Sequence, residues 1–332
     1  MAWAGVSTRA CSVKRTSYPR SVSRSLKVAA LVSISMAALL FAAMQHARTL
    51  GANRVLRQLP STARAVLRID TGALEHTAAA KMLLAAFVAD EQLSEIETVC
   101  GLDPIRALTD VTAWVRGPEE QPFQSTGLML RGRTVDAATL AECHRLLVEI
   151  RGGSIVRIDS GSGPLQASRD RRSAIGLLDD RTIVTGSVRT VAEALAVRRG
   201  SVPALVEQPR MAELWREVST GAGIVAILDP PAHWKSALQR VVKLADGASA
   251  IERADTFALS VEAGSAQTLE VHIDVIDEGL AEHDAELIRA WVASPSDAVE
   301  PPWTELLQSA QVRVRGRTIV VNLDVSSLSD AR

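Results

Sequence analysis

The clearest feature of the hydrophobic pattern is an apolar run over residues 28–47 that contains no Asp, Glu, Lys or Arg. At about 1.5 Å of rise per residue, a helix of this length spans roughly 30 Å, the thickness of a bilayer's hydrocarbon core. The preceding tail, residues 1–27, carries six basic and no acidic side chains, so the positive-inside rule keeps it in the cytoplasm. We therefore predict a signal-anchor that crosses the inner membrane once, with a cytoplasmic N-terminus and a periplasmic C-terminal region.

A cleaved secretory signal is the alternative interpretation of the same run. Cleavage requires small residues at the minus-three and minus-one positions. The candidate sites ending at Ala43 and Ala47 place Phe41 and Gln45 at minus three, and the passable site ending at Gly51 lies beyond the apolar run. The pattern therefore favours an uncleaved anchor.

Beyond a short linker, periodicity predicts alternating strands and helices. Strands are expected where β-branched and apolar residues cluster between turn signals, and helices where apolar residues recur three to four apart. For the first half this predicts strands at 64–70, 110–116, 125–131, 154–159, 165–169, 173–178 and 182–185, and helices at 73–88, 91–99, 134–150 and 188–198.

The second half repeats this order in outline. A helix is expected at 211–218, then a strand at 223–229, a helix to about residue 244, strands at 256–261 and 268–276, a helix at 280–293, and strands at 311–315 and 318–325. Hairpin turns between short strands indicate antiparallel pairing. We predict an α+β fold built from a duplicated unit, an antiparallel sheet with helices packed on one face, preceded by one transmembrane helix.

The predicted organisation has five segments along the chain. They are a basic cytoplasmic tail at 1–27, the signal-anchor at 28–47, a juxtamembrane linker at 48–60, a first α+β domain at 61–200 and a second at 201–326. About 285 residues follow the apolar run, which is enough for two domains of ordinary size.

Charge and composition narrow the classes of partner. The tail takes six of the 37 basic residues and none of the 38 acidic ones, so the rest of the chain has 31 against 38. This excess of negative charge argues against nucleic-acid binding. Aromatic residues make up only 3% of the chain, so a platform for stacking bases or sugars is hard to assemble.

Catalytic and cofactor motifs are missing from the sequence. There is no Gly-x-Ser-x-Gly elbow, no phosphate-binding Gly-x-x-x-x-Gly-Lys loop and no dinucleotide fingerprint. The six histidines have no paired ligand spacing, so we expect no metal site. We accordingly assign no catalytic, cofactor-binding or metal-binding residue and expect no cofactor.

A few charged positions are candidates with a simpler structural explanation. Asp70 and Asp229 each end the first strand of a half, where they are better explained as helix N-caps than as catalytic carboxylates. His272 and Asp274 share one face of a strand, although a solvated sheet face explains them better than an acid–base pair. The basic turn at 169–172 could meet an acidic partner or simply be solvated.

The two cysteines beyond the apolar run, Cys100 and Cys143, would both be exported into an oxidising compartment. One intramolecular pairing is open to them, and the apolar stripe of the helix around Cys143 turns that thiol inward. We predict a disulfide between them, the alternative being two buried free thiols. Cys11, in the basic tail, is expected to stay a thiol.

Several short motifs resemble uncharacterised envelope-anchored proteins of Gram-negative bacteria, from families described only as domains of unknown function. They are Leu59-Pro60 soon after the anchor, a strand ending in Asp, the segment Val99-Cys-Gly-Leu-Asp-Pro104, a second Cys in the helix after a glycine-containing strand, and Leu177-Leu-Asp-Asp-Arg-Thr-Ile-Val184. The likeness covers roughly residues 59–200. It implies export and the cysteine pair, and it brings no activity.

Two classes of function remain open. The first is a non-enzymatic, single-pass periplasmic protein that acts as an interaction or scaffold module, held in the membrane by residues 28–47 and contacting an envelope protein. The second is an exported enzyme or small-ligand-binding protein that uses dispersed carboxylates in a cleft between the two halves. The missing motifs favour the first class.

Overall fold

The structure is a computed structural model that describes residues 54–74, 90–116, 126–219, 222–232, 235, 253–262, 268–294 and 303–325. These residues belong to one compact unit, Thr49–Arg332. The predicted tail and signal-anchor, the first part of the linker and the predicted helix at 73–88 beyond Leu74 lie outside them. No helix in the described ranges is both long and apolar enough to cross a membrane.

The strands of the described residues form a single antiparallel sheet. In chain order they are β1 Ala63–Asp70, β2 Leu108–Arg116, β3 Thr126–Gly132, β4 Ile155–Asp159, β5 Pro164–Ser168, β6 Ala174–Leu177, β7 Thr182–Gly186, β8 Ala222–Leu228, β9 Ala254–Glu262, β10 Thr268–Val275, β11 Gln311–Arg315 and β12 Thr318–Asp324. The order across the sheet is β11-β12-β10-β9-β8-β1-β2-β3-β7-β6-β5-β4. The predicted α+β class with a large antiparallel sheet is confirmed.

Helices whose first and last residues are both described lie between the strands along the chain. They are α1 Thr71–Leu74, α2 Asp90–Cys100, α3 Pro104–Ala107, α4 Ala137–Ile150, α5 Val188–Arg198, α6 Pro209–Ser219, α7 Glu278–Ala293 and α8 Trp303–Gln308. A side chain just before a helix can cap its first turn with a hydrogen bond. Asp136, for example, ends the loop before α4 and accepts the Thr139 N–H at 2.8 Å, which satisfies a donor that the first helical turn leaves open.

The two halves of the chain share one sheet and follow the same order. β1 and β8 lie side by side at its centre, with Ile69 opposite Ile224 and Ala65 opposite Leu228. From each of them the sheet grows outward through a hairpin, β2-β3 or β9-β10, and a later strand, β7 or β12, returns to pair with the outer hairpin strand. The repeated order therefore runs outward in both directions from the β1–β8 pair.

Helices pack on both faces of the sheet, which corrects the expectation of a single covered face. On the front face, α5 and α6 pack against Val66, Trp114 and Val184. On the back face, α4 covers Val111, Leu130 and Ile183 in the first half, and α7 and α8 pack over the strand that carries Ile319 and Val321 in the second.

The physical reason lies in β8. Its residues Ile224, Val225 and Ile227 are all buried, and successive strand residues point to opposite faces. A run that is apolar at consecutive positions, instead of at alternate ones, is typical of a strand covered on both sides.

Candidate functional site

The predicted disulfide joins Cys100, at the end of α2, to Cys143, in the middle of α4, with a Cα–Cα distance of 5.2 Å. This confirms the pairing expected from the sequence. An ion pair between Arg151 Nη2 and Glu95 Oε2, at 2.5 Å, links the same two helices. Because that pair is largely exposed, the disulfide carries most of the connection.

A cavity of about 390 Å³ lies between these two helices and the back face of the sheet. Strands β2 and β3 form its floor, and α2, α3 and α4 form its walls. Most of its lining is aliphatic, including Ile96, Val111, Leu128, Leu130, Leu140 and Leu147. Among the described residues, no Asp, Glu, Lys or Arg lines it. Its volume lies within the roughly 300–1,000 Å³ that is usual for small-ligand pockets.

The few polar groups in the cavity wall already have partners or are uncharged. The Thr71 hydroxyl donates to the carbonyl of Leu108 at 2.5 Å, so it adds little polarity. His144 Nε2 lies 2.7 Å from Ser173 Oγ, while its Nδ1 is buried without a partner in the described structure. Burial lowers the pKa of His144 below its usual 6.5, which favours the neutral ring at physiological pH.

The corresponding place in the second half contains close-packed side chains. Helix α7 buries Ala281, Ala285, Ile288 and Val292 along its length. Helix α4 buries only Ala137, Leu140 and Ala141, all in its first turns, and the cavity lies beneath the turns that follow. The inward side of the helix is therefore buried along its whole length in the second half, whereas in the first half part of it lines a cavity.

A second cleft, of about 960 Å³, adjoins the cavity. We call it the arginine cleft, because Arg151, Arg169 and Arg172 line it, together with Ser173 and the carboxylate of Asp170. His144 and Leu147 line both spaces, so these two residues form a shared wall. The basic turn at 169–172, noted in the sequence, is one wall of this cleft.

Asp70 and Asp229 have structural partners, and the fold keeps them apart. Asp70 accepts the N–H of Gly72 at 2.9 Å, as an N-cap of α1 does, and Asp229 forms an ion pair with Arg64. Since Asp229 lies beside the start of β1 and Asp70 at its end, six residues at about 3.3 Å each separate them by roughly 20 Å. They do not form a common site.

His272 and Asp274 lie on the same face of β10 but bind different partners. His272 Nε2 lies 3.0 Å from Glu270 Oε1. Asp274 accepts from Arg210 Nη2 at 2.7 Å and pairs with Arg317 Nε at 3.2 Å. The two guanidinium groups neutralise the charge of the buried Asp274 carboxylate. His272 and Asp274 therefore have separate structural partners on the front face and do not form an acid–base pair.

One titratable residue that the sequence analysis missed is Asp110, which faces Asp70 across β1 and β2. Burial raises its pKa, the charge of Asp70 adds to that effect, and Arg68 and Arg131 oppose it. The signal was present in β2, because Asp110 and Thr112 are four and two residues from the buried Trp114 and so share its inward face. Asp110 lies on the front face, opposite to the cavity.

A further cavity of about 500 Å³, near β5 and β6, includes Arg198 and Arg199 in its lining. Arg198 donates to the Leu177 carbonyl at 3.0 Å and Arg199 to the Gly161 carbonyl at 3.0 Å. These guanidinium groups hold neighbouring loops and not a ligand site. Across the described ranges, no group of three or more His, Cys, Asp or Glu side chains could hold a metal ion.

Comparison with known proteins assigns no function to this site. No family model and no curated protein matches the sequence. Among solved structures, one titled "Structure of crystal form I of TP0453" is similar over 83% of this chain and 94% of that chain, with 11% sequence identity and a TM-score of 0.44. A similarity at this level assigns neither family nor function. What defines the molecule is its own geometry, an antiparallel α+β fold with an apolar cavity in its first half.

Proposed function

We propose that the protein is a single-pass, membrane-anchored periplasmic protein of non-enzymatic type that binds a small apolar ligand in the cavity under α4. The observation that carries this proposal is the cavity itself, about 390 Å³ in volume and lined almost entirely by aliphatic side chains. Transfer of an apolar molecule from water into such a space is favourable by about 0.8 kcal/mol for each buried methylene.

The chemistry of the cavity wall supports binding over catalysis. A catalytic site brings a nucleophile, an acid or a base within reach of the bound molecule. Among the described residues, His144 is the only titratable side chain in this wall, and its ring lies in hydrogen-bond contact with Ser173. The sequence analysis placed a possible ligand site among carboxylates in a cleft between the two halves. The best candidate for a ligand site lies instead within the first half, and no carboxylate of the described residues lines it.

The proposed location rests on the N-terminal sequence and on the cysteine pair. A basic tail followed by an apolar run is the pattern of a signal-anchor, and disulfides are typical of exported proteins. The likeness to envelope-anchored families agrees with the same location. We propose the inner membrane as the site of residues 28–47, with the sheet in the periplasm.

We also propose that the two halves arose by internal duplication. The matching strand order on either side of the β1–β8 pair supports this view. In the second half, α7 closed onto the sheet and became purely structural. In the first half, α4 stands over a cavity that is free to bind.

A scaffold role for an envelope protein partner is the second candidate function. The observation that favours it is the outermost strand β4, which pairs on one side only with β5 in the described sheet. Val156 on this strand is exposed, and an edge strand can accept a strand from another chain. Crosslinking through position 156 in intact cells would identify such a partner.

Photolabelling tests the apolar-ligand proposal on the full chain in membranes. A diazirine derivative of dodecanol should attach to peptides that contain residues 128–130 and 140–147. Leu128→Trp should remove most of this labelling, because the indole fills the cavity from its floor. Leu177→Trp, at an exposed position, is the matched control and should label like the wild type.

Labelling confined to residues 28–47 would contradict the proposal, since it would report only the lipid phase. Equal labelling of Leu128→Trp and wild type at 140–147 would contradict it too.

A further inference from the structure

The cavity and the arginine cleft are neighbouring spaces with two different chemistries. His144 and Leu147 line both parts. On one side of these residues the walls are mostly aliphatic. On the other side the described residues contribute three guanidinium groups, three serine hydroxyls and the carboxylate of Asp170. A ligand that reaches across this boundary meets an apolar interior and a cationic exterior.

The cationic part has capacity to bind an anion. Arg151 is engaged by Glu95, and Arg172 Nε lies 3.6 Å from Asp170 Oδ2. No carboxylate of the described residues pairs with Arg169. Asp170 is held within its own turn, where its Oδ1 accepts from Ser168 Oγ at 2.6 Å and from the Arg172 N–H at 3.2 Å.

On the basis of the proposed apolar cavity, we propose that the ligand is an anionic amphiphile. Its acyl chain lies in the cavity, and its carboxylate or phosphate head lies in the arginine cleft beside Arg169 and Arg172. A neutral hydrocarbon would leave the cleft without a partner, and a purely ionic ligand would leave the cavity without one. Only a molecule with both parts complements the two neighbouring spaces.

The size of the cavity sets the length of the chain. A cavity of about 150 Å³ accepts a six-carbon aromatic ring. The cavity of about 390 Å³ is large enough, by the same measure, for a chain of roughly a dozen carbons.

The position of the head group sets the size of the electrostatic effect. The side chain of Arg172 is 89% exposed and Arg169 is exposed as well, so the head stays hydrated and its desolvation cost is small. An exposed ion pair of this kind changes affinity by up to about fivefold, and bidentate contacts to a guanidinium add to that.

Competition against the dodecanol photolabel, with the full chain in membranes at pH 8, tests this assignment. Dodecanol, dodecanoate, dodecyl phosphate and acetate are the four competitors, and the measured quantity is the concentration that halves labelling at residues 140–147. In Arg169→Gln/Arg172→Gln, this concentration should rise about fivefold or more for dodecanoate and dodecyl phosphate and stay unchanged for dodecanol. Comparing variant with wild type for one competitor cancels its partition into the membrane.

Two further variants control for charge and folding. Arg169→Lys keeps the charge and should keep most of the preference for the anionic competitors. Arg315→Gln removes an exposed arginine from β11, in the other half, and should behave as wild type. Acetate, which has a carboxylate but no chain, should displace nothing at the concentrations where dodecanoate is effective.

Each possible result decides one proposal. If dodecanol does not compete in the wild type, the apolar-ligand proposal itself fails. If dodecanol competes but the half-labelling concentrations of all competitors are the same in the double variant and the wild type, the apolar-ligand proposal is retained and the anionic head-group assignment is wrong. An equal loss for dodecanol and dodecanoate in the double variant also overturns the head-group assignment, because the arginines would then support the cavity wall.

Discussion

At the scale of single residues, the interior of the sheet depends on where each side chain of a strand points. Trp114 is 1% exposed and lies against Gly127 on the neighbouring strand β3. A Cβ at position 127 would come far inside van der Waals distance of the indole ring. The pairing of the largest side chain with the smallest residue is what lets the two strands stay in register.

Asp110 gives a residue-scale prediction about pH. Its pKa is raised in the folded protein, mainly by burial, so the folded state binds the proton more tightly than the unfolded state. Stability is therefore complete below the unfolded pKa of about 3.8 and is lost as the pH rises through the higher folded value. We expect Asp110→Asn to raise the urea midpoint at pH 7 and to match the wild type near pH 3.

Asp136→Asn is the control with the opposite sign. The pKa of Asp136 is lowered, chiefly by the Thr139 N–H that it accepts, so its contribution is present at neutral pH and is lost in acid. Asp136→Asn should lower the urea midpoint slightly at pH 7. It should also remove the part of the stability loss in acid that comes from protonation of Asp136. A lower midpoint for Asp110→Asn at pH 7 would show that the attraction to Arg68 and Arg131 outweighs the cost of burial.

At the scale of elements, α2 and α4 form the wall of the cavity and are joined to each other by the disulfide. Both helices meet the sheet mainly at one end, α4 through Leu140 and Ala141 and α2 through the loop that leads into α3. The covalent bond therefore sets the spacing of the wall. The second half has no need of such a bond, because α7 is packed onto the sheet along its length.

Removal of this bond is the element-scale prediction. The two cysteines are 43 residues apart, and on the chain-entropy model closing such a loop stabilises the fold by about 4 kcal/mol. We expect Cys100→Ser/Cys143→Ser to lose about 2–4 kcal/mol in urea unfolding and to label weakly with the dodecanol probe, because the wall is no longer held.

Cys11→Ser is the matched substitution, since Cys11 lies in the predicted cytoplasmic tail, and it should change neither quantity. An unchanged urea midpoint for the double serine variant would contradict a stabilising role for the bond.

At the scale of the whole molecule, the position of the sheet relative to the membrane is the prediction. From the charge of residues 1–27 we predict that residue 332 lies in the periplasm. An alkaline phosphatase fused after residue 332 should be active, and a fluorescent protein exported unfolded to the same place should be dark. The protein should also resist carbonate extraction and keep an N-terminal epitope tag.

The reverse pair of fusion results would place the sheet in the cytoplasm and remove the oxidising compartment from the argument for the disulfide. Recovery of a soluble form that begins near residue 52 would instead favour the cleaved signal.

Much of the local structure was determined by the sequence alone. The helices predicted at 91–99 and 134–150 are present as Asp90–Cys100 and Ala137–Ile150, because capping residues and a 3.6-residue apolar period act within a few turns. The antiparallel class and the pairing of Cys100 with Cys143 were predictable for similar reasons. Turn signals and an inward-facing thiol are also features of short stretches of chain.

The tertiary structure alone decided which strands are neighbours, which faces are covered and where space remains. The pairing of β1 with β8 joins residues more than 150 positions apart, and no local pattern specifies such a partner. The cavity depends on how far α4 stands from the sheet, and α4 and α7 have similar apolar stripes in sequence although only α7 fills the space beneath it. The arginine cleft adjoins the cavity because Arg151 follows α4 while Arg169 and Arg172 follow β5, and only the folded chain brings these residues together.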